Sequence, residues 1–242
     1  MGTLRLLAIG VLAGAALMPG LPASATNQAT LVAQYNFDVI NGNTVADVTN
    51  KGHTLTLNGS WTTTTGAAGS QAVSFQPFSM GDSPSKTDLN PSTKGFAVTT
   101  VFKLPGDISN VPDTPNIVQK GFFNDPGQWK MQLKPSTAIV QCRFKGTTKA
   151  VLLSSQVQGV DDGAWHTSTC WRDGTQLGVT VDGVTTQITA NVGSIASGRS
   201  LRVGAKSLSA ATDQFTGSLD YVAVAVGPNA AAVTQMGAPP TG

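Results

Sequence analysis

The run Val179-Thr180-Val181-Asp182-Gly183-Val184-Thr185 constrains this chain more than any other segment. Alternating apolar and polar residues on either side of an Asp-Gly pair make a β-hairpin, because Asp and Gly accept the positive φ angles of a type I′ turn. Two more Asp-Gly pairs, Asp162-Gly163 and Asp173-Gly174, bracket a further extended run from Ala164 to Arg172. The same alternation recurs in Phe96 to Lys103, where Phe96, Val98, Thr100 and Phe102 share one face. In Leu31 to Phe37, Tyr35 and Phe37 lie on one face and Asn36 on the other. Leu55–Leu57, Ala72–Phe75, Asn116–Lys120, Gln128–Leu133, Ala138–Phe144, Ala150–Gln156 and Phe215–Val226 extend the series to about a dozen strands. The polar, proline-containing stretches Ser79–Lys94 and Pro105–Pro115 read as long loops.

Composition points the same way. All 13 acidic residues are Asp and none is Glu, and Gly reaches 27. Glu favours helices, whereas Asp and Gly favour turns. With 242 residues the expected fold is all-β, one antiparallel two-sheet β-sandwich of jelly-roll type. An immunoglobulin sandwich, at about 100 residues, is too small.

The N-terminal stretch lies outside that body. Arg5 precedes the apolar run Leu6–Met18, Pro19-Gly20 breaks it, and Ala23-Ser24-Ala25 offers an A-x-A cleavage site. This order predicts a secretory signal peptide over residues 1–25, with Thr26 as the mature N-terminus; an uncleaved anchor is the alternative. Residues 26–228 then make the domain, and 229–242 a short tail with one or two helical turns after Pro228. The net charge of +2 is spread without a Lys/Arg cluster, so neither nucleic acid nor membrane insertion after cleavage is expected.

Cys142 and Cys170 are the only cysteines. In an exported protein an even pair reads as a disulfide, with two buried free thiols as the alternative. Such a bridge contributes roughly 3 kcal/mol. It is a staple and not a redox centre, because no C-x-x-C is present.

Four segments carry a family likeness: Tyr35-Asn36-Phe37-Asp38; Ile117 to Leu133 (IVQKGFFNDPGQWKMQL); Asp161 to Gly174 (DDGAWHTSTCWRDG) followed by Val179 to Gly183; and Phe215 to Gly227 (FTGSLDYVAVAVG). In this order and spacing the chain resembles the laminin G-like domains of the concanavalin A-like jelly-roll superfamily, as found in secreted actinobacterial proteins. The resemblance implies adjacent N- and C-terminal strands. It also implies a binding module for extracellular glycans or proteins, often with one structural calcium.

Enzymes share that fold, so catalysis needs its own test. Glycosidases need two carboxyl groups about 5–5.5 Å apart for retention or about 6.5–9.5 Å for inversion. This chain has no Glu and no D-x-D strand, and Asp161-Asp162 sits in a turn. A His–Tyr lyase set would have to come from His53, His166, Tyr35 and Tyr221, and His166 beside Trp165 reads as packing. No G-x-S-x-G occurs. The chain is therefore expected to bind without catalysing.

Calcium prefers oxygen ligands on loops. Asp38, Asp47 and Asp220 are the candidates if the terminal strands are neighbours, although no D-x-D-x-D-G loop is present. Of the four tryptophans, Trp165 and Trp171 share one strand face, read as core or partly exposed sheet before a sugar platform. The better ligand candidates are Phe122, Phe123, Asn124 and Asp125, two aromatic and two polar side chains at one loop tip. A carbohydrate is the leading ligand and a protein partner the alternative.

Overall fold

The structure, a computed structural model, describes residues 28–209 and 213–241. The signal peptide expected over residues 1–25 lies outside the described residues. The first half of the chain forms β1 (Thr30–Tyr35), β2 (Ile40–Asn41), β3 (Thr44–Val45), β4 (Leu55–Asn58), β5 (Trp61–Thr65), β6 (Gln71–Phe75), β7 (Met80–Ser83) and β8 (Phe96–Lys103). The second half adds β9 (Asn116–Lys120), β10 (Gln128–Lys134), β11 (Ile139–Lys145), β12 (Ala150–Ser154), β13 (Trp165–Asp173), β14 (Gln176–Val181), β15 (Val184–Thr189), β16 (Leu201–Val203) and β17 (Gly217–Val226). One helix, α1 (Ala230–Gln235), follows.

These strands build the expected two-sheet antiparallel sandwich. The first sheet runs β15-β14-β13-β8-β17-β6-β5, and the second runs β12-β11-β10-β9-β16-β7-β4-β3-β2. The terminal strands are neighbours: β1 pairs with β17 from Thr30↔Val226 to Tyr35↔Val222. β6 pairs with the other half of that edge, Gly217 to Leu219. Asp220 falls in the gap between the two partners, where the register of β17 against β8 also shifts.

Alternation decides which side chains enter the core. Phe96, Val98 and Phe102 of β8 are fully buried between the sheets with Trp129, Phe144 and Leu201. Phe96 meets Trp129 and Phe144 at ring-centroid distances of 6.0 and 5.9 Å. Each such side chain contributes about 1.5–3 kcal/mol on leaving water. Cys142 of β11 and Cys170 of β13 are joined as a disulfide, so the bridge ties one sheet to the other.

The Asp182-Gly183 turn has φ of 47° and 80°, as a type I′ hairpin requires. One expectation is corrected. Ser79–Lys94 is not wholly a loop, because Met80–Ser83 forms β7 between β4 and β16. Its polar sequence hid the strand. Gly81 lies beneath Leu55, where a Cβ would meet the leucine side chain at 2.9 Å, and buried Ser83 donates to the His53 carbonyl at 3.0 Å. β5 and β16 likewise lie in segments that carried no strand signal.

Candidate ligand-binding site

The Phe122–Asp125 loop joins β9 to β10 and is closed by glycines. Gly121 has φ 89°, and a Cβ there would lie 2.3 Å from the Gly127 carbonyl oxygen; one at Gly127 would lie 2.2 Å from that of Ala196. Only glycine lets the loop ends and the Ala196 segment approach so closely. Within the loop Asp125 turns inward. Its Oδ2 accepts the Phe122 N–H at 2.9 Å and the Arg199 Nε–H at 3.1 Å, and the Ser197 hydroxyl donates to it at 3.4 Å. The Arg199 hydrogen bond holds its carboxyl below the usual carboxylate range, outweighing the effect of burial.

The two phenylalanines lie under cations. The Arg199 and Arg202 guanidinium carbons stand 4.6 and 4.9 Å from the Phe122 ring centroid. Arg143 stands 4.4 Å from that of Phe123. Phe123 is nevertheless 66% exposed, and Asn124 is exposed beside it.

Asp125 forms part of an open cleft of about 560 Å³, walled by Ser85, Lys86, Thr87 and Asn90 on one side and Ala196 to Arg199 on another. Its polar groups are held in place. Asn90 Oδ1 accepts the Ser197 N–H at 3.0 Å, and the Ser197 hydroxyl oxygen accepts the Arg199 N–H at 3.1 Å. Beneath them Lys120, fully buried, donates from Nζ to Ser85 Oγ at 3.3 Å and to the Arg199 carbonyl. Burial pushes its ammonium down to about 8, against an opposing pull from Asp88. The loop tip thus brings Asp125 into the cleft, while Phe122, Phe123 and Asn124 do not line it. Sequence reasoning missed Ser85, Asn90, Ser197 and Arg199. Their only signal was the turn-forming chemistry of Asn90-Pro91 and Ser197-Gly198 in segments without alternation.

The three aspartates considered for calcium do not converge. The Asp47 carboxylate accepts the backbone N–H groups of Gln34, Thr49, Lys51 and His53, at 3.0 to 3.2 Å, and the Thr49 hydroxyl. Burial pushes its carboxyl up, but these bonds, led by Thr49, outweigh it and hold it low. It organises the turn after β3. Asp38 and Asp220 instead share a small pocket of about 170 Å³ with Asn36 and Ser70. Asp220 is buried and accepts the Ala67 N–H at 2.8 Å and the Ser70 hydroxyl at 3.2 Å. Burial first, and the nearby Asp38 charge as well, push its carboxyl up. Among the described residues no three His, Cys, Asp or Glu side chains form a metal-binding group.

Trp165 and Trp171 do share a face, and it is the outer face of the first sheet. Both are half-buried, the second of the two readings their spacing allowed. His166, on the inner side, is held by two carboxylates: Asp182 at 2.7 Å from Nδ1 and Asp162 at 3.0 Å from Nε2. No described helix is long and apolar enough to cross a membrane.

Residues 122–225 match the family model described as the laminin G domain. Among solved structures, the chain is similar to the binding domain of Paraclostridial Mosquitocidal Protein 1, with TM-score 0.66 and 15% identity over 85% of this chain and 51% of that one. It is also similar to domain 4 of AbnA, a GH43 extracellular arabinanase from Geobacillus stearothermophilus, in complex with arabinotriose. There the TM-score is 0.63 and the identity 17% over 87% of this chain and 99% of that one. The binding domain of Botulinum Neurotoxin DC in complex with SialylT gives TM-score 0.59 and 8% identity, covering 85% of this chain and 50% of that one. The chain spans about half the length of the two toxin binding domains. No curated protein matches the sequence. The family match covers less than half of the 242-residue chain, and at these identities the likeness to solved structures is one of fold alone.

Proposed function

We propose that this protein is a secreted, non-catalytic binding module whose ligand is a carbohydrate, taken in the cleft between the 121–127 loop, Asn90 and Arg199. One observation carries the reading: polar side chains surround an open cleft of about 560 Å³ and are fixed by their own hydrogen bonds before any ligand arrives. Sugars are recognised by such preorganised donors and acceptors, because a hydroxyl-rich ligand loses affinity for each group left unpaired. The solved structures with arabinotriose and SialylT bound give the same fold a precedent for saccharide ligands. Export is supported by the N-terminal Leu6–Met18 run, the Ala23-Ser24-Ala25 site and the Cys142–Cys170 bridge.

Calcium, where bound, would be held by Asp38 and Asp220 with the Asn36 amide oxygen, not by Asp47. Two carboxylates in one pocket, with burial and then the Asp38 charge raising the proton affinity of Asp220, suit a hard cation. The Asp220 oxygens already accept hydrogen bonds, so the ion would need to draw on Asp38 and backbone oxygens as well. The ion would order the β1–β17 edge and take no part in chemistry.

A glycan-array screen of residues 26–242, run with calcium and again with chelator, tests both parts. Saccharide-specific binding supports the reading, and loss of that binding with chelator supports the metal. Silence across a broad array removes the carbohydrate and puts a protein ligand in its place.

A further inference from the structure

On the outer face of the first sheet lies a second cleft, of about 590 Å³, remote in the fold from the 121–127 loop. Its floor includes Trp171 of β13, whose neighbour Cys170 points the other way into the core disulfide. Across the strand pair Trp171 faces Gly178. A Cβ on residue 178 would lie 2.0 Å from the indole Cε2, so the ring lies across a bare patch of backbone that only glycine leaves open. The indole is also fixed in azimuth. Its Nε1–H donates to Thr180 Oγ1 at 3.2 Å, and Thr180 is hydrogen-bonded to Thr185 at 2.8 Å.

The wall opposite is the segment after β17. Gln235 of α1 donates from Nε2 to Thr169 Oγ1 at 3.0 Å, and Pro239 and Pro240 continue the wall. Tyr221 ties the helix down by donating its hydroxyl to the Thr234 carbonyl at 2.8 Å. The result is one flat aromatic ring, a row of threonine hydroxyls and one amide. Among the described residues that line the cleft none is charged.

We infer that this cleft is a second saccharide site, for a neutral sugar whose ring stacks on Trp171 while its hydroxyls meet Thr180, Thr185 and Gln235. The negative face of an indole attracts the polarised C–H groups of a pyranose or furanose ring. Hydroxyl side chains, which both donate and accept, match sugar hydroxyls in either role. The lack of lining charge excludes a carboxylated or sulfated sugar as the preferred ligand, because nothing in the cleft would neutralise it. A polyproline peptide fits less well, since such grooves are lined by several aromatics and this one has a single ring. The inference does not depend on the cleft beside the 121–127 loop.

The test is a titration of residues 26–242 with arabinotriose, cellohexaose and xylohexaose, read by the Trp171 indole N–H resonance and by calorimetry. Trp171→Leu removes the platform. Thr185→Tyr fills the cleft from an exposed edge strand without touching the core, and so remains informative if Trp171→Leu fails to fold. The expected result is a shift of the Trp171 resonance by at least one of the three sugars, and a rise in its Kd of tenfold or more in Thr185→Tyr, about 1.4 kcal/mol. Asn90→Ala, in the other cleft, leaves that Kd unchanged. Failure of all three sugars to move the Trp171 resonance overturns the inference. So does binding that Asn90→Ala abolishes and Thr185→Tyr spares, which leaves the first cleft standing alone. Displacement of the sugar-free Trp171 signal by a decaproline peptide, without response to the sugars, also overturns it.

Discussion

Cys142 and Cys170 sit on opposite sheets, on β11 and β13, with their Cα atoms 5.6 Å apart in the middle of the sandwich. Both are buried, so the bridge acts as a covalent cross-brace between the two layers. The span of 28 residues between them gives a loop-closure term of roughly 3 kcal/mol. Replacing both cysteines with alanine is expected to lower the unfolding free energy by about that amount, or somewhat more with the cavity left behind. Urea titrations of the two proteins, followed by tryptophan fluorescence, measure it. Equal midpoints would show that the bridge does not brace the fold.

Arg172 of β13 fastens the loop segments before β8 and after β15. Its buried guanidinium donates to the carbonyls of Lys94, Ser92 and Gly193, at 3.0 Å from Nε, 2.7 Å from Nη2 and 3.0 Å from Nη1 respectively. It also packs over the Phe96 ring, 5.6 Å from the centroid. Burial pushes its pKa down to about 10, but at neutral pH it stays charged. Arg172→Leu strands three backbone acceptors and is expected to cost about 2–4 kcal/mol, with Arg172→Lys recovering only part. A thermal melt of each variant checks this ordering, and a leucine variant as stable as the parent contradicts it.

His166 makes stability depend on pH. The Asp182 hydrogen bond, opposed by burial and assisted by Asp162, raises its pKa in the folded state. A raised folded value means the native state holds the proton more tightly than the unfolded chain. This contribution is therefore complete below about pH 6.5, the unfolded value, and is lost as pH rises through the folded value. Melting temperatures measured from pH 5.5 upward are expected to fall in the parent and to flatten in His166→Gln. Identical slopes would remove His166 as the cause. Lys120 and Lys130, each pushed down to about 8 chiefly by burial, act in the opposite sense: stability recovers between about pH 8 and about 10.5.

The aspartates separate into two roles. Asp47→Ala removes the acceptor for four backbone N–H groups and is expected to cost about 2–4 kcal/mol whether or not calcium is present. Asp220→Asn is expected to abolish any rise in melting temperature on adding calcium. Differential scanning fluorimetry with calcium and with chelator distinguishes them. A calcium response that survives Asp220→Asn and disappears with Asp47→Ala would reverse the assignment.

The fold was legible where alternation and turn chemistry coincide, as at Asp182-Gly183 and along Phe96–Lys103. It was illegible at β7, because Met80-Gly81-Asp82-Ser83 has no apolar alternation and owes its place to Leu55 packing over Gly81. The site was legible only in part. Asp125 could be named from its loop, but its partner Arg199 lies 74 residues away and Asn90 lies across the cleft, so only the closed sandwich brings them together. A carboxylate that satisfies backbone N–H groups, as that of Asp47 does, and one that awaits a cation have the same letter in a sequence. Trp171 could be placed on a face by counting, whereas its cleft depends on α1 folding back over the sheet.

The most direct test of the proposed function is the affinity of the best glycan-array ligand for the parent and for Thr87→Trp. Thr87 is exposed on the wall of the first cleft, so tryptophan there fills the cleft and spares the fold. The cleft reading predicts a Kd at least tenfold higher, about 1.4 kcal/mol, with an unchanged melting temperature. An unchanged Kd would place the saccharide elsewhere and contradict it.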